Sequence, residues 1–387
     1  MRQHPIHRRA AALLAALALI LSLICTSSLS LELLFKHNPV RRLLPRRLSR
    51  NVIATIPPSG EHKRDIILMG HVDTNHNSVI FRNPKTIYAW RVFSSICAVS
   101  FYLQVILYSV GLVTQTPILW PWLALPAALN AVIVIAFMVE GERAPFSKGA
   151  NDNATGAGLV LTLGEQIANA PLGHSRIWLV CTGCEEVKHY GAIDFYRRHF
   201  GELVNPQAVV FEMLGRDNPG YLVRESTINL FTIHASPELI TLAASIAKQH
   251  PELHAHPTRA AGGHTEMADA IRFGVPAITI AGIAENATDY NYDGPNLYWH
   301  HKDDTLDNLL PDKLERSYAY VWELVKAIDG QGSDGHEVAI TAGIPGSIEP
   351  QVVFPATEGL LESRYPKSNR PETQPVPTEQ ANHVKDA

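Results

Sequence analysis

An α/β sandwich with three layers and a mostly parallel mixed sheet, interrupted by an inserted transmembrane helical hairpin, is the fold class that this sequence predicts. Three observations carry that reading. Short apolar, β-type runs alternate with amphipathic helical stretches from Asn51 to Gly330, as when helices cover both faces of a parallel sheet. Polar residues able to do chemistry fall just past the ends of those runs, where open α/β sheets collect their ligand sites. One long interval, Val92 to Val139, contains no charged residue and no histidine. So long a charge-free interval is unusual in a soluble core and fits a membrane hairpin.

The elements follow in order. Ala10 to Cys25 is apolar apart from Ser22 and is preceded by Arg2, Arg8 and Arg9, so residues 1–35 read as a signal peptide or an N-terminal membrane anchor. Cys25-Thr26-Ser27 offers small residues for cleavage; extension through Leu29, Leu31, Leu33 and Leu34, past Glu32, gives the length of a span. Residues 36–50 form a basic linker with Lys36, Arg41, Arg42, Arg46, Arg47 and Arg50. Asn51–Pro57 and Asp65–Gly70 read as strands. The hairpin, residues 89–139, holds two apolar stretches, Val92–Val113 and Ile118–Val139, with a Thr-Gln-Thr-Pro turn at 114–117. Each stretch is long enough for one bilayer crossing.

Beyond the hairpin, Gly156–Ala168 reads as a helix, Ser175–Cys181 as a buried strand and Glu186–Phe200 as a helix. Gln207–Leu214, Thr227–Ile233 and Pro276–Ala281 read as strands, with Pro237–Gln249 helical. Pro311–Ile328 closes the domain as a helix with Asp312 and Glu315 near its start, where carboxylates suit the helix dipole. The catalytic domain is therefore expected in two pieces, 51–88 and 140–330. Residues 331–387, rich in Pro, Glu, Thr, Ser and Asn, are expected to form a disordered tail.

A hairpin returns the chain to the side it left, so both pieces share a compartment. The basic residues before it favour the cytoplasmic face, whereas a working signal sequence favours the opposite face. The chain has 387 residues and a formal net charge of -4, which gives no basic footprint for nucleic acid. Of its four cysteines, Cys25 and Cys97 lie in apolar runs and read as buried thiols. Cys181 and Cys184 lack the second pair that a structural zinc site needs.

Five short motifs carry the chemistry. In Gly70-His71-Val72-Asp73-Thr74, His71 can bind a metal through one nitrogen, and Asp73 is a candidate acceptor for the other. Asp152 lies in Gly149-Ala150-Asn151-Asp152-Asn153-Ala154-Thr155-Gly156, a segment that also reads as a capping turn built on Asn153 or Thr155. Glu185 and Glu186 follow the strand that ends at Cys181; neighbouring side chains point apart, so one can bind metal while the other faces substrate. Glu212 is a carboxylate inside the apolar run Val209-Val210-Phe211-Glu212-Met213-Leu214, which is costly unless it is paired, with Arg216 or Arg224 for instance, or bound to metal. Trp299-His300-His301-Lys302-Asp303-Asp304-Thr305 supplies His300 or His301 as a ligand and Asp304 and Thr305 as braces. Two histidines and three carboxylates, with one glutamate to spare, suit two divalent ions sharing a bridging carboxylate.

With these motifs in the order GHVDT, GANDNATG, CEE, VVFEMLG and WHHKDDTLDNL, the sequence resembles the zinc aminopeptidase family. That family includes bacterial leucyl aminopeptidase, aminopeptidase Y, glutamate carboxypeptidase and the transferrin receptor ectodomain. The resemblance covers roughly Asn51 to Gly330 outside the hairpin. It implies a di-zinc exopeptidase-like fold, two Zn2+ ions and a peptide substrate. His71 and Glu212 would bind one zinc, Glu186 and His300 the other, and Asp152 would bridge them. Glu185 would be the general base for attack by a metal-bridging water, with Asp73 assisting. The implied enzyme is a zinc metallopeptidase, an aminopeptidase in the first instance, held at a lipid bilayer. Two other readings use the same fold: a catalytically silent receptor-like domain and a glutaminyl-cyclase-like acyltransferase with one zinc. The complete ligand set speaks against both. A carboxypeptidase would need an arginine clamp, for which Arg216, Arg224 and Arg259 are available. His264 and Glu266 fall where the family has a loop beside its substrate pocket.

Three departures stand out. Position 212 is Glu where many members have Asp. The hairpin separates His71 from Asp152 where the family has a short loop. The helix and strand that usually precede the NVIA strand are missing or replaced by the basic stretch Lys36–Arg50.

Overall fold

A computed structural model describes residues 5–34, 36, 38–43, 48–114, 120–227, 231–261, 263–284 and 298–331. The expected tail from 332 onward and most of the turn at 114–117 lie outside the described residues.

The sheet is built from runs that hide their side chains on both faces. Strand β2 (Arg64–His71) is buried from Asp65 to its end, and β4 (Gln207–Glu212) along its whole length. Such strands belong in the middle of a sheet covered by helices on both sides. They lie beside β3 (Ser175–Thr182) and β8 (Ala277–Ala281), and the order β3-β2-β4-β8 is parallel throughout. Antiparallel strands flank this core. β1 (Val52–Ile56) pairs with β3; β5 (Gly220–Thr227) pairs with β8 and with β6 (Phe231–His234), while β7 (His256–Ala261) joins β5 in parallel. The sheet is thus mixed and mostly parallel.

Helices α4 (Thr155–Asn169), α6 (Pro237–Gln249) and α8 (Pro311–Gly330) form one layer, with α8 touching the other two. Helices α5 (Tyr190–His199) and α7 (Met267–Arg272) touch each other and form the second. The core they share with the sheet includes Ile66, Leu68, Leu163, Phe195, Val209, Phe211, Tyr320 and Leu324. The entry to α4 runs so close to the sheet that a Cβ on Gly156 would lie 2.7 Å from the Phe211 carbonyl oxygen. Gly156→Ala is therefore expected to cost about 1–3 kcal/mol of stability, read as a lowered urea midpoint for the purified protein.

Several boundaries differ from the sequence expectation. The helix expected from Glu186 begins at Tyr190, because Lys188 and His189 adopt positive φ values of 93° and 54°. That leaves Glu185 and Glu186 in a turn rather than on a helix. The strand expected over Thr227–Ile233 resolves into the end of β5 and the start of β6, which pair antiparallel from Thr227 and Phe231. β7 and α7 were not expected. Cys25 is exposed rather than buried, and all four cysteines are free thiols.

Three long helices complete the described chain. Helix α1 (Pro5–Leu33) packs along α2 (Pro84–Thr114), which packs on α3 (Trp120–Arg143). Two segments, Leu13–Glu32 and Pro84–Thr114, are long and apolar enough to cross a membrane. The roots of α2 and α3 are tied together: Glu140 accepts hydrogen bonds from Ser78 Oγ at 2.6 Å and from the Val79 amide at 2.7 Å.

Candidate metal centre

Strand register alone brings two of the expected ligands level. β2 and β4 pair up to Met69–Val210, and two residues further on stand His71 and Glu212, on the same face by the period of a strand. β3 runs beside β2 to the pair His71–Thr182, and the turn after it carries Glu185 and Glu186. Asp152 comes from the segment entering α4, and His300 from the loop before α8.

These side chains form two groups. His71, Asp152 and Glu212 make one, Asp152, Glu186 and His300 the other, and within each group the ligand atoms all lie within 4.8 Å of one another. Asp152 belongs to both because its oxygens face opposite ways. Oδ1 lies 3.3 Å from His71 Nε2, and Oδ2 lies 3.4 Å from His300 Nε2. His71 Nε2 is also 3.4 Å from Glu212 Oε1, and His300 Nε2 is 2.9 Å from Glu186 Oε2. His301, the alternative at that position, turns away; its Nδ1 accepts from the Asp303 amide and its ring stacks on Tyr298.

The supports are mostly buried hydrogen bonds. His71 Nδ1 lies 3.0 Å from the Asp73 carbonyl, which can only accept, so the proton sits on Nδ1 and Nε2 is left facing the ligands. The Asp73 carboxylate is 3.7 Å from that ring and is engaged instead by the amides of Glu185 and Glu186, at 3.0 and 3.2 Å. Asp304 accepts from the amides of Asn151 and Asp152 at 2.6 and 3.2 Å. Asn153 donates to Phe211 O at 2.8 Å and Glu212 Oε2 at 3.3 Å, and accepts from the Gly156 amide at 3.0 Å. Asn153 therefore caps α4 and orients Glu212 at once. Asn75 donates to Glu186 Oε2 at 3.0 Å, and the Phe81 ring stands edge-on to His300 with centroids 4.5 Å apart. Both precede α2, so the root of the hairpin forms part of the wall of the site.

Glu185 lies beside the two groups without joining either. Its Oε2 is 3.9 Å from His71 Nε2, and its Oε1 is 3.3 Å from His189 Nε2. His189 Nδ1 is in turn 2.6 Å from Asp269 Oδ2. Neither His189 nor Asp269 carried a sequence signal, since their only distinction is where α5 and α7 bring them. His264 and Glu266 are both buried; Glu266 Oε1 accepts from Thr182 at 2.5 Å. Thr265 bonds to Glu225 and Thr279. Of the arginines considered as a clamp, Arg216 donates to the Asn308 carbonyl and lies over the Tyr298 ring, while Arg224 and Arg259 face each other across β5 and β7.

The charges explain what the arrangement can hold. Burial pushes Glu185 well above the usual carboxylate range, against the pull of His71 and His189, and it raises Glu212 against the pull of His71. For Asp152 burial acts the same way, but the hydrogen bond to His71 and the charge of His300 outweigh it and the group stays low. Burial lowers His71, yet Glu212 and Glu185 hold it well above an ordinary imidazole. Burial likewise opposes charge on His189, which Asp269 and Glu185 raise to about 10. Glu186 Oε1 is buried without a hydrogen-bond partner. Four crowded carboxylates, two outward-facing imidazole nitrogens and an orphaned oxygen fit a pair of divalent cations, with the N/O donor set that zinc accepts.

Residues 133–325 match the model of Peptidase family M28. No curated protein matches the sequence. Similar solved structures include an aminopeptidase from Aneurinibacillus sp. strain AM-1, at 16% identity over 71% of this chain and 47% of that chain, with a TM-score of 0.42. A leucine aminopeptidase precursor from Bacteroides thetaiotaomicron aligns at 15% identity over 72% and 76% of the two chains, with a TM-score of 0.44. A glutaminyl cyclase from Tannerella forsythia aligns at 12% identity over 71% and 77%, with a TM-score of 0.45. The chain spans about half the length of the Aneurinibacillus protein. The matched segment contains Asp152, Glu185, Glu186, Glu212 and His300, and on that match the chain carries a domain of peptidase family M28.

Proposed function

We propose that this chain is a membrane-anchored, two-zinc exopeptidase that removes residues from a free peptide end, acting as an aminopeptidase. The observation that carries the reading is Asp152 turning one oxygen to each of two histidines, with a carboxylate completing each group. His71, Glu212 and Asp152 would hold one zinc, and Glu186, His300 and Asp152 the other. Bound zinc would polarise the scissile carbonyl and acidify water.

The remaining chemistry belongs to side chains. Glu185 is the general base. Its raised proton affinity suits a group that must take a proton from water and return it to the leaving amine. His189, fixed by Asp269, holds Oε1 of Glu185 and leaves Oε2 turned toward His71. Asp73 sets the backbone from which Glu185 and Glu186 project. Asn75 orients Glu186, so Asn75→Ala is expected to weaken zinc binding at that site about 10–100-fold, measured by competition with a chromophoric chelator.

The layout is part of the same proposal. Residues 51–88 and 140–330 form the catalytic unit, 1–35 the anchor and 89–139 a transmembrane hairpin. Exposed apolar side chains on α2 and α3, among them Ile96, Val99, Ile106, Leu129, Val132, Ile135 and Met138, support contact with lipid. The test is zinc content together with cleavage of peptides bearing free or acetylated amino termini. Two zinc ions per chain and hydrolysis of the free-amine peptides alone are expected. A protein without zinc would point to a silent domain, and conversion of glutaminyl peptides to pyroglutamyl products without hydrolysis would point to a cyclase.

A further inference from the structure

The turn that presents Glu185 and Glu186 is held from outside the catalytic unit. Helix α1 ends its apolar run with Glu32, an acid in its last turn. Glu32 Oε1 accepts from Asn38 Nδ2 at 2.6 Å and from Arg41 Nε at 2.7 Å. Its Oε2 accepts from Arg41 at 2.8 Å and from Lys188 Nζ at 2.9 Å. Lys188 Nζ also donates to the Lys36 carbonyl at 2.9 Å. Arg41 goes on to donate to the Val187 carbonyl at 3.3 Å and to the Tyr190 hydroxyl at 3.2 Å. Glu32, Lys36 and Arg41 therefore grip the backbone or side chains of Val187, Lys188 and Tyr190, directly after the two glutamates.

That grip has physical work to do. Lys188 sits at φ 93° and His189 at φ 54°, conformations that side chains with a Cβ disfavour. Such a backbone persists when its surroundings over-determine it. The Lys188 side chain is 9% exposed, and an ammonium so enclosed needs its carboxylate. The same turn places His189 against Glu185. Glu32 is itself fixed by the seating of α1 on α2, where Thr26 Oγ1 donates to Phe101 O at 3.2 Å and Ser30 Oγ lies 2.8 Å from Tyr102 Oη. Cleavage at the small residues around Cys25 would leave Glu32 in the chain but remove most of the helix that seats it.

We propose that Glu32 is a positioning residue for the catalytic turn, acting through Lys188 and Arg41, and that α1 is retained as a working part of the enzyme. The catalytic half of this statement rests on the peptidase reading above. The test compares the full-length protein in lipid nanodiscs with Glu32→Gln, Glu32→Asp and Lys188→Met. Amide hydrogen exchange over residues 184–190 should accelerate in Glu32→Gln while that of 66–69 in β2 stays slow. kcat should fall about tenfold with KM within about twofold and zinc content unchanged, and Glu32→Asp should restore most of it. Combining Glu32→Gln with Lys188→Met should cost less than the sum of the two. Unchanged exchange at 184–190 in Glu32→Gln overturns the proposal, as does strict additivity of the pair. If Glu32→Gln does not fold, Lys188→Met must show the same local exchange or the proposal fails. A wild-type protein that cleaves no peptide defeats the peptidase reading, while the exchange comparison still decides the clamp.

Discussion

Glu185→Gln should lower kcat by about 10²–10⁴-fold while leaving zinc content at the wild-type level. The substitution keeps the shape of the side chain and an oxygen able to accept from His189, which lies 3.3 Å from Oε1. What it removes is the capacity to take up a proton. Glu185 belongs to neither ligand group, so nothing that holds a cation is lost. The expected loss corresponds to about 3–5 kcal/mol of transition-state stabilisation. Steady-state kinetics on a free-amine peptide, paired with elemental analysis of the same preparation, checks it. A variant that keeps both its zinc and its kcat would strip Glu185 of the assigned role.

Asp152→Ala should do more damage by a different route. With the shared carboxylate gone, one group retains only His71 and Glu212, and the other only Glu186 and His300. Zinc sites in proteins ordinarily need at least three protein ligands, so neither pair should keep its ion at micromolar zinc. Metal content is expected to fall below about one ion per chain and activity to background. Added zinc should restore a wild-type sample stripped with chelator but not this variant. Full activity with two ions in Asp152→Ala would show that the bridge lies elsewhere.

The parts of this molecule that could be read in advance are those that depend on local pattern. β2, β3, β4 and β8 announce themselves as apolar runs, because strands buried on both faces need apolar side chains at every position. The proposed metal ligands stand out in the sequence for the complementary reason: a charge such as Glu212 in such a run needs a partner to justify its burial. β5 was missed because GYLVREST mixes in charge, and the buried Glu225 is tolerated through its bonds to Thr265. β7 was missed because Pro257 argues against a strand. The start of α5 was misplaced because nothing in Lys188 or His189 advertises a left-handed backbone. Asn75, His189 and Asp269 left no trace in the sequence, since their meaning lies in long-range contacts.

The order of synthesis gives the inserted hairpin one more consequence. β2 is the middle of the parallel core, yet both its neighbours, β3 and β4, are translated only after α2 and α3 have emerged. The nascent strand must wait, apolar on both faces, while two long helices are made and seated, which invites chaperone capture and slow closure of the sheet. By the same logic a truncated protein spanning residues 133–325 alone would begin after β2. It would lack an inner strand of its parallel core and His71, one of the two histidines proposed to bind metal, and should be recovered as aggregate rather than as a smaller folded protein.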